Sequence, residues 1–195
     1  MNATLADWRS GVGVTIACAI AGGVTGALFL GDAHRIAASA LLAGTMGAIT
    51  IEDMRSMRVP NAWILPAAIG GFVAVAVEAG ATDFSPLIAV GHSVVSLILC
   101  GGVFYVLREA YFRWRGVEGL GLGDVKLAAT GGIWLGWEIF PAVVTLSAVG
   151  AILWIAAVVT LRRSWPRDRR IPFAAFLAPA IWICWIYSQV MPTSA

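Results

Sequence analysis

The sequence predicts an all-α polytopic membrane helix bundle of about seven (six to eight) transmembrane helices. Hydrophobic residues occupy 59% of the 195 positions and the mean hydropathy is +0.85, whereas soluble domains are roughly 45–50% apolar. No stretch alternates between apolar and polar residues over the roughly ten positions of a transmembrane β-strand. Helices satisfy their own backbone hydrogen bonds in lipid, so they are the expected elements. A single domain is expected over residues 1–195.

Seven apolar segments recur along the chain, each near the roughly 20 residues that cross a bilayer. The first is long enough to be a retained helix rather than a cleaved signal peptide. Pro60 and Asn61 fit a helix break followed by an N-cap. Three other prolines lie near segment starts, where proline is tolerated: Pro86, Pro141 and Pro172. The segments cover residues 12–30, 36–51, 62–79, 86–107, 121–137, 139–161 and 171–190.

Small residues at four-residue spacing suggest where helices pack closely. Gly22-x-x-x-Gly26 and Gly132-x-x-x-Gly136 have this spacing, which lets two helix backbones approach each other. Because the chain has 22 glycines, these patterns support helix packing and nothing more specific.

The basic residues orient the predicted bundle. Of the 13 Lys and Arg residues, all but Arg9 and Arg35 lie in loops that follow even-numbered segments. The positive-inside rule places these loops in the cytoplasm, with the N-terminus inside and the C-terminus outside. The net charge of +2 is too small to indicate a nucleic-acid partner. The loop residues are Arg55, Arg58, Arg108, Arg113, Arg115, Lys126, Arg162, Arg163, Arg167, Arg169 and Arg170.

Two acidic residues lie at equivalent ends of two apolar segments, in a chain with only 12% charged residues. Asp53 closes the second segment, and Asp124 opens the fifth within the sequence Gly-Leu-Gly-Asp-Val-Lys. Under the predicted topology both carboxylates reach the same membrane face. Asp124 alone could cap a helix, and Asp53 alone could pair with Arg55 or Arg58. Two carboxylates that share a proton, however, can activate water against a peptide bond.

These motifs resemble those of the type IV prepilin (leader) peptidases, a family of membrane aspartic proteases. The family has an Asp seven residues before the proline of an Ile-Pro-Asn-like triplet, and later a Gly-x-Gly-Asp-x-Lys motif. Here these stand as Asp53 with Val59-Pro60-Asn61, and as Gly121 to Lys126. Residues 171–179 resemble a C-terminal Ile-Pro-Phe-Gly-Pro-like stretch, with alanines in place of the usual Gly-Pro.

The resemblance implies a transmembrane aspartic peptidase in which Asp53 and Asp124 are catalytic. Its protein substrate would be a prepilin or pseudopilin precursor, cleaved at the cytoplasmic face of the inner (plasma) membrane, with the substrate's apolar helix held in the lipid bilayer. The residues expected to support the motifs are Gly121, Gly123, Lys126, Pro60 and Asn61.

The helix dipoles and the glycines beside Asp124 suggest what role each acid plays. Asp124 lies at a helix N-terminus, whose dipole favours the ionised form, whereas Asp53 lies at a C-terminal end. We therefore expect Asp124 to act as the base and Asp53 as its protonated partner. Gly121 and Gly123 are expected to let either backbone or substrate come close to the carboxylate, and bare backbone beside the acid suits an extended substrate. Glu52 is adjacent to Asp53 and, at about 100° around the helix, should point elsewhere.

No cofactor and no metal site are expected. Cys18, Cys100 and Cys184 stand alone in apolar segments, without a Cys-x-x-Cys zinc signature. Larger members of the resembled family carry a cytoplasmic insertion with paired Cys-x-x-Cys motifs, which is associated with N-methylation of the cleaved pilin. Since that insertion is absent, the resemblance implies only the peptidase half. The chain looks most like the short Tad/Flp-type peptidases, with archaeal preflagellin peptidases similarly short.

Two alternatives stay open. The Gly-x-Gly-Asp pattern is also similar to that of presenilin-like intramembrane proteases, although the Asp53–Pro60 spacing and the lack of a clear Pro-Ala-Leu tripeptide argue against them. A non-enzymatic membrane scaffold or transport component would place acids along an ion path at mid-membrane depth. Acids at one face favour a protease. No feature of the sequence indicates an oligomeric state.

The predicted topology can be tested by cysteine labelling. Single cysteines at positions 55, 116, 123 and 167, in a background without the three native cysteines, would be exposed to a membrane-impermeant thiol reagent. Positions 55, 116 and 167 should react only from the cytoplasmic side, and position 123 slowly from that side. Rapid labelling of position 55 or 167 from outside would overturn the orientation.

Overall fold

The computed structural model describes residues 2–162 and 171–191 and forms an all-α bundle, as predicted. No strand occurs within these two ranges. Five of the helices are long and apolar enough to cross a membrane, and the sixth is shorter. The helices are α1 (Asn2–Phe29), α2 (Ala33–Ser56), α3 (Asn61–Ala81), α4 (Pro86–Arg115), α5 (Leu122–Arg162) and α6 (Ala174–Val190).

Helix α5 is broken at Gly136 into two arms. Gly136 has φ 75° and ψ 164°, a conformation that is essentially restricted to glycine. A Cβ built on Gly131 would lie 2.9 Å from Cε2 of Phe140, although nine residues of straight helix would separate the two by about 13 Å. The second arm therefore folds back along the first. Its residue Ala151 lines the same cavity as Asp124, at the start of the first arm.

The break reconciles the six helices of the structure with the seven segments predicted from the sequence. The sequence predicted separate segments over 121–137 and 139–161, and these are the two arms of α5. Together with the other five helices they make seven helical segments in the part of the chain that the structure describes. The prediction of about seven helices is confirmed.

Small residues form the α1–α2 and α4–α5 contacts. A Cβ on Gly22 would lie 2.4 Å from the Cβ of Ala43, and one on Gly132 would lie 2.6 Å from the carbonyl oxygen of Ser96. Such distances allow no side chain, so Gly22 and Gly132 do support close packing, as expected. Gly136, the other member of the second pattern, forms the break instead. In lipid this close approach stabilises the bundle mainly through van der Waals contact.

Polar groups inside the bundle find partners on neighbouring helices. The indole Nε1–H of Trp134 donates to the carbonyl oxygen of Ala67 at 2.8 Å. The hydroxyl of Ser39 donates to the carbonyl oxygen of Gly22 at 2.8 Å and accepts from Trp182 at 3.3 Å. These bonds tie α5 to α3, and α2 to both α1 and α6, because an unsatisfied polar group in an apolar interior costs free energy.

Many large apolar side chains point outward, as expected of helices that face lipid. With its several apolar spans, the chain is a multi-pass membrane protein. The cytoplasmic orientation stays a prediction. Part of the charge pattern on which it rests, Arg163, Arg167, Arg169 and Arg170, lies outside the described residues.

Replacing Gly136 with Ala should destabilise the protein. The positive φ and extended ψ are strained for any side chain, at a cost of about 1–3 kcal/mol. Thermal unfolding in detergent, followed by circular dichroism, should show a lower midpoint for Gly136→Ala. Gly102→Ala is the matched control, since Gly102 is helical and a Cβ there would meet nothing within 4 Å. Equal midpoints for the two variants would contradict the strained break.

Candidate active site

Asp53 is a nearly buried carboxylate at the end of α2. Its side chain is 6% exposed, and its Oδ2 accepts a hydrogen bond of 2.9 Å from the backbone N–H of Ala175. Helix α2 ends four residues later, where Met57 adopts φ 52° and donates its N–H to the carbonyl oxygen of Asp53. This left-handed residue turns the chain toward the loop that leads to α3.

Asp124 lies in the first turn of α5 and is partly buried. Its Oδ2 accepts a hydrogen bond of 3.2 Å from the N–H of Gly121, while the carbonyl oxygen of Gly121 accepts from the N–H of Asp124. This reciprocal arrangement resembles a capping box. The capping interpretation of Asp124 is therefore correct as far as it goes, and capping does not prevent the carboxylate from lining a cavity.

The N-terminus of α6 brings the two carboxylates together. The backbone N–H of Ala175 donates to Asp53, the N–H of Ala174 lies near enough to both Asp53 and Asp124 to stabilise their charge, and the two acids are close enough to interact electrostatically. Backbone N–H groups in the first turn of a helix have no partner within the helix and carry the positive end of its dipole. They are suited to hold negative charge, so α6 supplies donors to a site formed by the ends of two other helices.

Two cavities share Asp53, Met57, Gly121 and Asp124 in their walls, and we describe them as two lobes of one cleft. The first lobe has a volume of about 460 Å³ and the second about 530 Å³. Both lobes are partly polar, as a site that admits water and a peptide should be. The first lobe is lined by Asp53, Met57, Glu118, Gly119, Leu120, Gly121, Asp124, Ala151, Ile171, Pro172 and Phe173. The second lobe is lined by Glu52, Asp53, Met57, Arg58, Val59, Pro60, Asn61, Gly121, Leu122, Gly123, Asp124 and Lys126.

The residues expected to support the motifs all line the cleft, and two of them bond to each other. The ammonium of Lys126 donates to Oδ1 of Asn61 at 3.0 Å, which joins the start of α5 to the start of α3. The expected N-cap at Asn61 is wrong by one position. Pro60 occupies the N-cap, and the Asn61 amide is used between helices instead.

Of the two partners expected at Gly123, backbone or substrate, the structure places the protein's own chain there. A Cβ on Gly123 would lie 2.8 Å from both Cβ and Cγ2 of Val59. The bare backbone at this position is therefore filled by the protein's own α2–α3 loop. Gly121 is exposed, and a Cβ there would meet the Asp124 carboxylate at 3.3 Å.

The structure also weakens the helix-dipole argument, which made Asp124 the base and Asp53 its protonated partner. Asp53 lies at the C-terminal end of α2, but its carboxylate accepts from the N-terminal turn of α6. Both acids thus contact a helix N-terminus, and the dipoles no longer distinguish base from acid. Glu52 was expected to point away from the site, but it lines the second lobe. Its carboxylate accepts from the hydroxyl of Ser56 at 3.1 Å.

Sequence reasoning missed the backbone donors of Ala174 and Ala175. Residues 171–179 resemble a family stretch, but alanine side chains give no sign of a hydrogen-bonding role. Every residue except proline carries an N–H, so a backbone donor leaves no signature in side-chain identity. The available signal was positional, because a helix that begins two residues after Pro172 must present free N–H groups at its first turn.

The described residues contain no group of three or more His, Cys, Asp and Glu side chains suited to hold a metal ion. Cys18, Cys100 and Cys184 are free thiols.

Comparison with known proteins identifies the family. Residues 40–156, which include Asp53 and Asp124, match the model of the type IV leader peptidase family. The chain is 32% identical over 153 residues to a prepilin leader peptidase/N-methyltransferase of Aeromonas hydrophila, with 78% of this chain and 50% of the relative covered. It is 33% identical over 156 residues to the protein of that name from Aeromonas salmonicida, with the same coverage. This chain belongs to the type IV leader peptidase family.

A third relative, from Burkholderia pseudomallei and with the same name, is 32% identical over 152 residues, with 78% of this chain and 46% of the relative covered. The chain thus spans about half the length of the relatives it matches. No solved structure matches it. The family match ends at residue 156, before α6, whose backbone donors complete the site.

Proposed function

We propose that this protein is a membrane-embedded aspartic endopeptidase that removes the leader peptide from prepilin or pseudopilin precursors. The catalytic pair is Asp53 and Asp124, and cleavage takes place at the cytoplasmic face of the inner membrane. The observation that carries the proposal is the meeting of the two carboxylates at the N-terminus of α6 within one partly polar cleft. Family membership and the relatives' names as prepilin leader peptidases support it independently.

The proposed chemistry needs one proton shared by the pair, because two adjacent carboxylates do not both ionise easily. The ionised carboxylate takes a proton from water as the water oxygen attacks the scissile carbonyl carbon. The protonated carboxylate gives its proton to the carbonyl oxygen, which forms a tetrahedral diol. When the diol collapses, the C–N bond breaks and the leaving amine takes a proton from the acid that had received it from water. The other carboxylate takes a proton from a diol hydroxyl as that oxygen becomes the carbonyl of the product, which restores the singly protonated pair. Since either residue can play either role, the roles are assigned to the pair.

The cleft suits a substrate with an apolar helix next to its cleavage point. The substrate helix stays in lipid beside the bundle, and the leader junction reaches the cleft at the ends of α2, α5 and α6. Both lobes open along the pair, so an extended chain has space on either side of the scissile bond. The methyltransferase half of the relatives' name is not part of the proposal, because the three cysteines of this sequence are isolated.

Loss of either aspartate should abolish cleavage. In liposomes containing the purified protein and a candidate prepilin, Asp53→Asn and Asp124→Asn should each lower the rate at least about 100- to 10,000-fold, the range ascribed to a general acid–base group. Mass spectrometry of the mature N-terminus measures the product. Glu52→Gln is the matched control, because it changes an adjacent cleft carboxylate outside the proposed pair. Full cleavage by either aspartate variant, at normal expression, would refute the two-aspartate mechanism.

Removing a single N–H should shift the pH dependence of cleavage. Ala175→Pro deletes the donor to Asp53 but is tolerated in the first turn of a helix. The N–H stabilises the ionised carboxylate, so its loss makes the working, singly protonated pair harder to form. The acid limb of the rate–pH profile should therefore move to higher pH, by about 0.5–1 unit for one ordinary hydrogen bond.

Ala175→Gly keeps the N–H and is the control for that experiment, so its profile should match that of the unmodified protein. An acid limb that is unchanged in Ala175→Pro, or shifted equally in both variants, would show that the hydrogen bond does not act on the pair.

A further inference from the structure

The α4–α5 loop, residues 116–121, carries little rigidity of its own. Three of its six residues are glycines, and Gly116 ends α4 with φ 70°. Glycine has the greatest backbone freedom of any residue, so ordering this loop is entropically costly. The last loop residue, Gly121, nevertheless donates to Asp124 and caps α5. The position of the proposed catalytic carboxylate thus depends on a segment that other contacts must hold.

The main polar contact to this loop is an ion pair with a residue of α4. The guanidinium of Arg108 donates through Nη2 to Oε1 of Glu118. The Arg108 side chain is only 15% exposed, whereas that of Glu118 is 57% exposed and lines the first lobe of the cleft. An ordinary exposed ion pair contributes little to stability. Here one partner is largely buried, and removal of Glu118 would leave its charge without compensation.

Two further observations indicate that the Arg108–Glu118 pair, called the loop clamp below, holds the loop in place. The Nε of Arg108 is buried and, among the described residues, has no hydrogen-bond partner, so the pair with Glu118 is the polar contact recorded for this guanidinium. One turn further along α4, the ring of Tyr111 lies against Gly119, where a Cβ would meet Cδ1 and Cε1 at 2.5 Å. Arg108 and Tyr111 together hold the loop at Glu118 and Gly119.

We propose that Arg108 is a positioning residue for this enzyme, which acts through Glu118 to hold the α4–α5 loop and thereby the Asp124 carboxylate. The proposal rests on the proposed function. Without the pair, the loop moves away from α4 and Gly121 no longer fixes Asp124 in one orientation. Since small displacements of a reacting group can cost up to about 100-fold in rate, the effect falls on kcat rather than on substrate binding.

The test compares Arg108→Gln and Glu118→Gln with the double variant Arg108→Glu/Glu118→Arg. Each single change should lower kcat about tenfold, with KM changed less than about twofold. The double variant restores an ion pair of opposite polarity and should recover most of the lost kcat. Arg113→Gln is the matched control, because it breaks the pair with Glu109 on the same helix, where Arg113 is 78% exposed. Its kcat should equal that of the unmodified protein.

Hydrogen–deuterium exchange in nanodiscs, without substrate, is the second readout. Peptides that cover residues 112–124 should exchange faster in Arg108→Gln and Glu118→Gln, and at the original rate in Arg113→Gln and the double variant. Because this measurement needs no cleavage, it tests whether the loop clamp, the Arg108–Glu118 pair, holds the loop even if the proposed function is wrong and the unmodified protein cleaves no prepilin. Unchanged loop exchange in Arg108→Gln would overturn the inference. So would a Glu118→Gln variant with raised KM alone and no rescue in the double variant, since Glu118 would then contact a basic substrate residue directly.

Discussion

The candidate site depends on the free backbone N–H groups at the start of α6. Two carboxylates near each other in an apolar bundle repel one another and lose hydration, so they need donors that are fixed in place. Ala175 donates to Asp53, and the N–H of Ala174 lies near enough to both acids to stabilise their charge. Since α6 also packs against α2 and α5, the same helix joins the two elements that carry the acids and compensates the charge they bring.

The break at Gly136 is the second constraint on the site. A straight α5 would carry its C-terminal half away from Asp124, whereas the folded helix returns Ala151 to the wall of the first lobe. Close packing between glycine and its neighbours, as at Gly132 against α4, holds the first arm in place. Helix ends, rather than helix middles, therefore build the cleft, which lets polar groups gather there while the long apolar surfaces face lipid.

Several elements could be predicted because they follow from side-chain chemistry. Apolar length predicted the helices, and the return at Gly136 accounts for the two separate segments expected there. The isolated acids and their flanking motifs predicted that Asp53 and Asp124 would reach the same membrane face, and the Lys126–Asn61 contact agrees with the importance given to both residues. Whether the two acids meet in the absence of substrate could not be predicted. Their catalytic roles, the substrate and the cytoplasmic orientation stay predictions. The sequence left open whether backbone or substrate approaches Gly123, because the loop residue that occupies its open side, Val59, lies more than sixty positions earlier in the sequence.

The sequence by itself determined that the chain crosses a membrane as helices and which two carboxylates are candidates for chemistry, since hydropathy and charge are properties of side chains. Only the tertiary structure decided what surrounds those carboxylates. Backbone donors carry no side-chain signature, so the contribution of Ala174 and Ala175 became visible only once α6 was placed. The dipole argument failed for the same physical reason: the field at Asp53 comes not only from its own helix but also from the N-terminus of another helix, more than a hundred residues away in the chain.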